Sequence, residues 1–268
     1  MTELAARLRH LPADTVTALS FFSRLPVNAP AGPFDLRRSS AAWPLAGLAM
    51  ATGPALLFWL CGLAGMPTLL VALFALAALT ALTGGLHEDG LADVADGFGG
   101  GTTRDKKLSI MRDSRIGTYG VLALLFSLLI KMAALGALGL RPGHGALALA
   151  GAAVVSRAIA LWHWNATIPA RDDGLAWAAG RPDWLSLAIG AATAVVVAVV
   201  LIVVFGPAAL IGCLLALVAT SLFSGLCVRQ IGGHSGDTIG AAQQIAETLL
   251  LIGLASAWDP VIWAPILA

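Results

Sequence analysis

The segment HEDGLADVADG, residues 87–97, sets Asp89, Asp93 and Asp96 at i, i+4 and i+7, one face of an α-helix, with Glu88 beside that face. Carboxylates so close repel one another, more strongly where water is scarce, so the pattern asks for a cation. Hard oxygen ligands suit Mg²⁺, which takes one or two carboxylates, keeps several waters and bridges to phosphate oxygens. Zinc fits poorly, because His87 is the one nearby nitrogen ligand and no cysteine is close. Asp93, in the middle of the face, is the first choice of ligand. Glycines on both sides, Gly99 and Gly100 among them, let the backbone come close to a bulky anion.

Next in the chain is RDKKLSIMRDSRIGTYG, residues 104–120. Arg112 and Arg115 stand three apart around Asp113 and Ser114. That arrangement suits two guanidiniums gripping phosphate oxygens while the acid orients a metal or a hydroxyl. Lys106 and Lys107 read instead as a charge anchor for the following apolar run. A third polar patch, RQIGGHSGDTIGAAQQIAE at 229–247, supplies His234 and Asp237, and Ser235, Asp237 or Thr238 is placed to cap the next helix. For a general base the candidates are His87, Asp113, His234 and Asp237.

The elements that position these residues are apolar. Of the residues 58% are hydrophobic and 12% charged, a composition that excludes an ordinary soluble enzyme. Seven windows approach the roughly 20 apolar residues that a bilayer requires of a helix. They lie near 41–63, 67–84, 118–140, 145–164, 184–205, 207–228 and 241–266, the last opened by Gln243, Gln244 and Glu247 and interrupted by Asp259. The fold expected is an all-α, polytopic membrane bundle of about seven transmembrane helices. It forms a single membrane-embedded domain over 1–268, with 1–40 an N-terminal cytoplasmic or interfacial segment and 85–117 the catalytic loop. Val16, Leu19 and Phe22 share one helical side and predict a short amphipathic helix, either lying in the interface or packed as a surface helix on the bundle. Cys61, Cys213 and Cys227 lie in apolar windows and read as small hydrophobes. A net charge of +1 gives no sign of nucleic-acid binding.

Thirteen of the sixteen Lys and Arg fall in the segments on one face, and Arg141 alone falls in a loop on the other. Basic residues are retained in the cytoplasm, so the N-terminus and the segments 85–117, 165–183 and 229–240 are expected there, free to converge over one end of the bundle. Within the spans Arg157 is expected to snorkel or to pair with another buried group such as Glu247, while Lys131 has no obvious partner. Trp43, Trp162, Trp164, Trp177, Trp184, Trp258 and Trp263 fall near span ends, as interfacial anchors do, although Trp162 and Trp164 are also placed to stack on a base.

The strings GGLHEDGLADVADG, MRDSRIGTYG and GGHSGDTIGA, in this order and joined by apolar spans, resemble the cobalamin synthase family, adenosylcobinamide-GDP ribazoletransferases; FFSRLPV and WPLAGL fit as well. The resemblance implies a Mg²⁺-dependent transfer in the bacterial inner membrane, with the site facing the cytoplasm. The substrates implied are adenosylcobinamide-GDP and α-ribazole or its 5′-phosphate. A hydroxyl of the ribazole attacks the phosphorus on the cobinamide side and GMP leaves. It leaves open a homo-oligomer or association with other cobalamin-assembly enzymes. Under this reading Glu88, Asp89, Asp93 and Asp96 hold the metal, and Arg112 and Arg115, with Ser114, Gly99 and Gly100, bind the diphosphate. A CDP-alcohol type phosphotransferase is the nearest alternative, but no AR pair follows Asp96-Gly97. An ion-coupled transporter using Lys131, Arg157 and Glu247 is the third, and no internal repeat supports it.

Overall fold

The computed structural model describes residues 3–28 and 35–256, and every helix expected from the apolar windows is present in it. Helix α1 (Glu3–Phe22) and the short α2 (Leu36–Ser39) precede α3 (Trp43–Leu63) and α4 (Thr68–Thr83). The acidic α5 (Leu86–Gly100) and α6 (Arg104–Ile110) come next, then α7 (Thr118–Leu138) and α8 (Pro142–Ala166). A one-turn α9 (Gly174–Ala178), α10 (Trp184–Phe205), α11 (Pro207–Ile231) and α12 (Gly236–Ala255) follow. Among the described residues there is no strand, only an isolated bridge between Pro169 and His234. Among the described residues six helices are long and apolar enough to cross a membrane, and α4 with α5 makes a seventh if that bent pair is one span.

Helices α8 and α12 form the centre, with 72% and 67% of their apolar windows buried, whereas α10, at 17%, is an outer helix. Outer helices turn Phe126, Val203 and Leu222 outward, as lipid-facing surfaces do. At 21 residues α7 is about 32 Å long, enough for a hydrocarbon core about 30 Å thick.

The break between α4 and α5 is what turns the acidic helix into a functional surface. Gly84 and Gly85 both adopt positive φ, 65° and 71°, which β-carbon-bearing residues avoid. Two such residues in succession swing α5 by 88° from the axis of α4. The helix therefore lies across the ends of its neighbours: Gly90 meets the Asp237 backbone on α12, and Asp96 meets the start of α7. The Arg24 amide, donating to the Leu82 carbonyl at 2.7 Å, ties the segment after α1 to this turn.

All three polar segments converge at this end. Arg104 donates to the carbonyls of Ile231 (3.0 Å) and Ala170 (2.5 Å), Lys107 reaches Gln230, and Arg171 donates to the Leu108 carbonyl at 2.8 Å. Thus 85–117, 165–183 and 229–240 form one layer over the bundle, as the gathering of basic residues on one face suggests.

Several expectations need correction. Helix α12 begins at Gly236, not near 241, because Ser235 and Thr238 form a reciprocal capping box. Its Gln243, Gln244 and Glu247 are consequently buried in the bundle. The remainder of that expected window, with Trp258, Asp259 and Trp263, lies outside the described residues. Helix α1 starts at Glu3 and is longer than the amphipathic piece read from sequence. Glu247 takes Lys131 as its partner, at 2.6 Å, while the Arg157 Nη1 donates to the Ala153 carbonyl at 2.9 Å. Trp43 and Trp164 are buried and stacked on each other, 5.1 Å between centroids, so neither is an interfacial anchor.

Candidate active site

A cleft of about 870 Å³ opens at the polar end between α5, the segment after α1 and the segment 111–116. One wall carries Glu88, Asp89 and Asp93; facing residues include Arg24, Arg112, Asp113 and Ser114. Among the described residues the carboxylates of Asp89 and Asp93 have no hydrogen-bond or ion-pair partner, and both feel the charge of Asp237. Glu88 accepts from the Gln244 amide through Oε1 at 3.3 Å, while its Oε2 is buried and unpartnered. A buried carboxylate oxygen left without a partner is costly, and a cation relieves that cost.

Asp96 differs from the other three. Its carboxylate accepts from the amides of Gly117 (2.6 Å) and Gly120 (2.9 Å), the first turn of α7, where a negative charge also meets the positive end of the helix dipole. Any β-carbon at Gly117 or Gly120 would lie 2.4 Å from an Asp96 oxygen, so both glycines leave room for this carboxylate. Asp96 thus fastens α5 to α7, which neither the spacing nor the charge of the motif reveals. Asp96→Asn, which turns one acceptor into a donor facing an N–H, is expected to cost about 1–3 kcal/mol and lower the Tm in detergent. An unchanged Tm would contradict this role.

The fit to Mg²⁺ rests on this donor set. Among the described residues no three His, Cys, Asp or Glu side chains are grouped closely enough to hold a metal alone. Mg²⁺ needs only one or two carboxylates when waters and substrate phosphates complete its shell, and Asp89, Asp93 and Glu88 offer that.

Arg112 pairs with Asp173, bringing the 165–183 loop to the cleft. Arg115 pairs with Asp113 at 2.7 Å and does not line the cleft; its side chain is 87% exposed. Hydrogen bonds from Arg115 hold the Asp113 carboxyl down at about 2, which makes it a poor proton acceptor. Gly99 packs on the Tyr119 ring and Gly100 faces Ile110, and neither lines the cleft.

His87 and Asp237 line an adjoining chamber of about 270 Å³, which shares Asp89 with the cleft. His87 stacks on Phe22 there, 5.3 Å between centroids. His234 lies in a third recess of about 230 Å³, which shares Asp237 with the second. Thr167 gives its hydroxyl proton to the His163 carbonyl and so accepts from His234 Nδ1 at 2.9 Å, which leaves Nε2 as a lone pair, buried and unpartnered. Burial lowers the His234 pKa to about 4, so the ring is neutral at neutral pH. Arg24 is the cleft residue that reading the sequence for chemistry missed; it lies in FFSRLP, whose relevance was visible only as family likeness.

Fold and site together define a multi-pass membrane protein with a charged cleft at one end of its bundle. The profile of the cobalamin-5-phosphate synthase family matches residues 14–255. The chain belongs to that family, and is a membrane transferase of cobalamin biosynthesis. It is 43% identical over 261 residues to the adenosylcobinamide-GDP ribazoletransferase of Rhizobium johnstonii, covering 94% of this chain and 99% of the relative. It is 42% identical over 267 residues to the enzyme of the same name from Sinorhizobium medicae, covering 96% and 100%. No solved structure matches.

Proposed function

We propose that the chain joins adenosylcobinamide-GDP to α-ribazole, or to its 5′-phosphate, with release of GMP, using Mg²⁺ at the polar end of the bundle. The observation that carries the reading is the cleft itself: unpartnered carboxylates on one wall and the guanidiniums of Arg24 and Arg112 on the other. Thirteen basic residues in the segments at this end support placing it in the cytoplasm, with the bundle in the bacterial inner membrane.

Asp89, Asp93 and Glu88 would hold Mg²⁺, which when bound offsets the charge of the diphosphate oxygens. Arg24 and Arg112 grip those oxygens and stabilise the charge that grows on GMP as it leaves. Arg24 is free to do so, having no ion-pair partner among the described residues. The 3′-hydroxyl of ribazole forms a bond to the phosphorus on the cobinamide side; the bond from that phosphorus to the GMP oxygen breaks. Asp237 takes the hydroxyl proton. Of the other candidates, Asp113 is held near 2 and His234 near 4, and burial holds His87 well below its ordinary value, so all three are weak bases at neutral pH. Asp237 also lies where the chamber beside the cleft meets the carboxylate wall.

The test is product formation. The protein in liposomes, given adenosylcobinamide-GDP and α-ribazole with Mg²⁺, is expected to release GMP in step with completed corrinoid. Folded protein yielding neither product would overturn the reading.

A further inference from the structure

The chamber beside the cleft is built differently from the cleft. Its walls are aromatic: Phe22 packs edge-on to Trp43 at 5.0 Å, Trp43 stacks on Trp164, and His87 stacks on Phe22. At about 270 Å³ it has room for a fused two-ring heterocycle and none for a corrin. Two residues lining it carry buried donors without partners, Trp43 through Nε1 and Arg157 through Nε, and both side chains are almost wholly buried. Buried donors left unpaired in a folded protein are rare and costly, and an acceptor on a bound ligand removes that cost. The chamber opens onto the cleft at Asp89 and is bounded on another side by Asp237.

Building on the proposed reaction, we propose that this chamber is the subsite for the base of the acceptor nucleoside. It takes a flat, largely apolar aromatic bicycle carrying an in-plane acceptor nitrogen. The faces of the base lie against the aromatic walls. Its nitrogen accepts from Trp43 or Arg157, and the attached ribose emerges between Asp89 and Asp237, where its hydroxyl meets the carboxylate wall. The benzimidazole of ribazole has the required shape, and one ring nitrogen free to accept.

Two substitutions test the assignment from different sides. Ala160→Leu fills the chamber from α8, and Ala176→Trp fills it from the half-buried α9 lip, where folding is not at stake. Each is expected to weaken equilibrium binding of labelled α-ribazole, and to raise its KM, roughly tenfold, with the KM for adenosylcobinamide-GDP unchanged. A ribazole analogue with indole in place of benzimidazole, which lacks the acceptor nitrogen, is expected to bind the unmodified protein about tenfold more weakly. Unchanged ribazole binding in both variants overturns the assignment, as does a change confined to the corrinoid KM. A wild-type protein that releases no GMP from the two substrates overturns the parent reading instead, which separates the two failures.

Discussion

Asp93→Asn abolishes most turnover while leaving the fold intact: kcat is expected to fall by roughly 10²–10³, the range for losing one preorganised electrostatic contact to a developing charge. The reason is local. Asp93 is in the middle of the carboxylate wall, one turn from Asp89, partly exposed to the cleft and with no hydrogen-bond partner among the described residues. A substitution that removes a charge there breaks no contact of the fold and relieves repulsion from Asp89, Asp96 and Asp237. Its stability cost should stay within about 0.5 kcal/mol, as at surface sites free of special features. The pairing of lost turnover with an unchanged Tm is the signature. A variant with wild-type kcat would remove Asp93 from the site, and one that melts early would give it a structural role.

Lys131→Met is expected to have the largest effect on stability. The Lys131 ammonium donates to Gln244 at 2.5 Å and Glu247 at 2.6 Å, and both charged side chains are 3% exposed or less. Breaking a buried pair by removing one partner leaves an uncompensated charge, at a cost on the order of 3–5 kcal/mol. That is a large share of the roughly 5–15 kcal/mol separating folded from unfolded states of typical proteins, so the variant should melt many degrees earlier in detergent. The double variant Lys131→Met, Glu247→Gln should recover much of the loss, because no charge is then stranded. The damage extends to the cleft, since Gln244 also donates to Glu88. An unchanged Tm for the single variant would show that the pair is not formed.

How much of this was legible in sequence follows from the physics of each element. Apolar length is a one-dimensional property, so the apolar helices α3, α4, α7, α8, α10 and α11 are all foreseeable, most of them to within a few residues of their ends. The acidic helix is foreseeable from its i, i+4, i+7 spacing, and the convergence of three polar segments from the gathering of Lys and Arg on one face. Identity of partners was not. Asp96 looks the same as Asp93 along the helix, and only the position of Gly117 and Gly120 in space makes it a brace for α7. The Lys131–Glu247 pair joins residues 116 apart, and Arg157 was the more obvious partner only because it was the other unexplained charge. Helix α12 starts earlier than its apolar run because Gln243 and Gln244, polar in sequence, are buried against Ser156 of α8 and Glu88 of α5. Trp43 and Trp164 were misread for a related reason: position near a span end does not say whether a side chain faces lipid or a neighbouring helix.

In the proposed reaction the carboxylate wall acts through a divalent cation on a diphosphate held by arginines. The most direct test is GMP release by protein stripped with a chelator and then titrated with Mg²⁺. The account predicts background rates without the metal, full recovery on its return, and a higher Mg²⁺ requirement in Asp89→Asn. Undiminished GMP release from metal-free protein would contradict it.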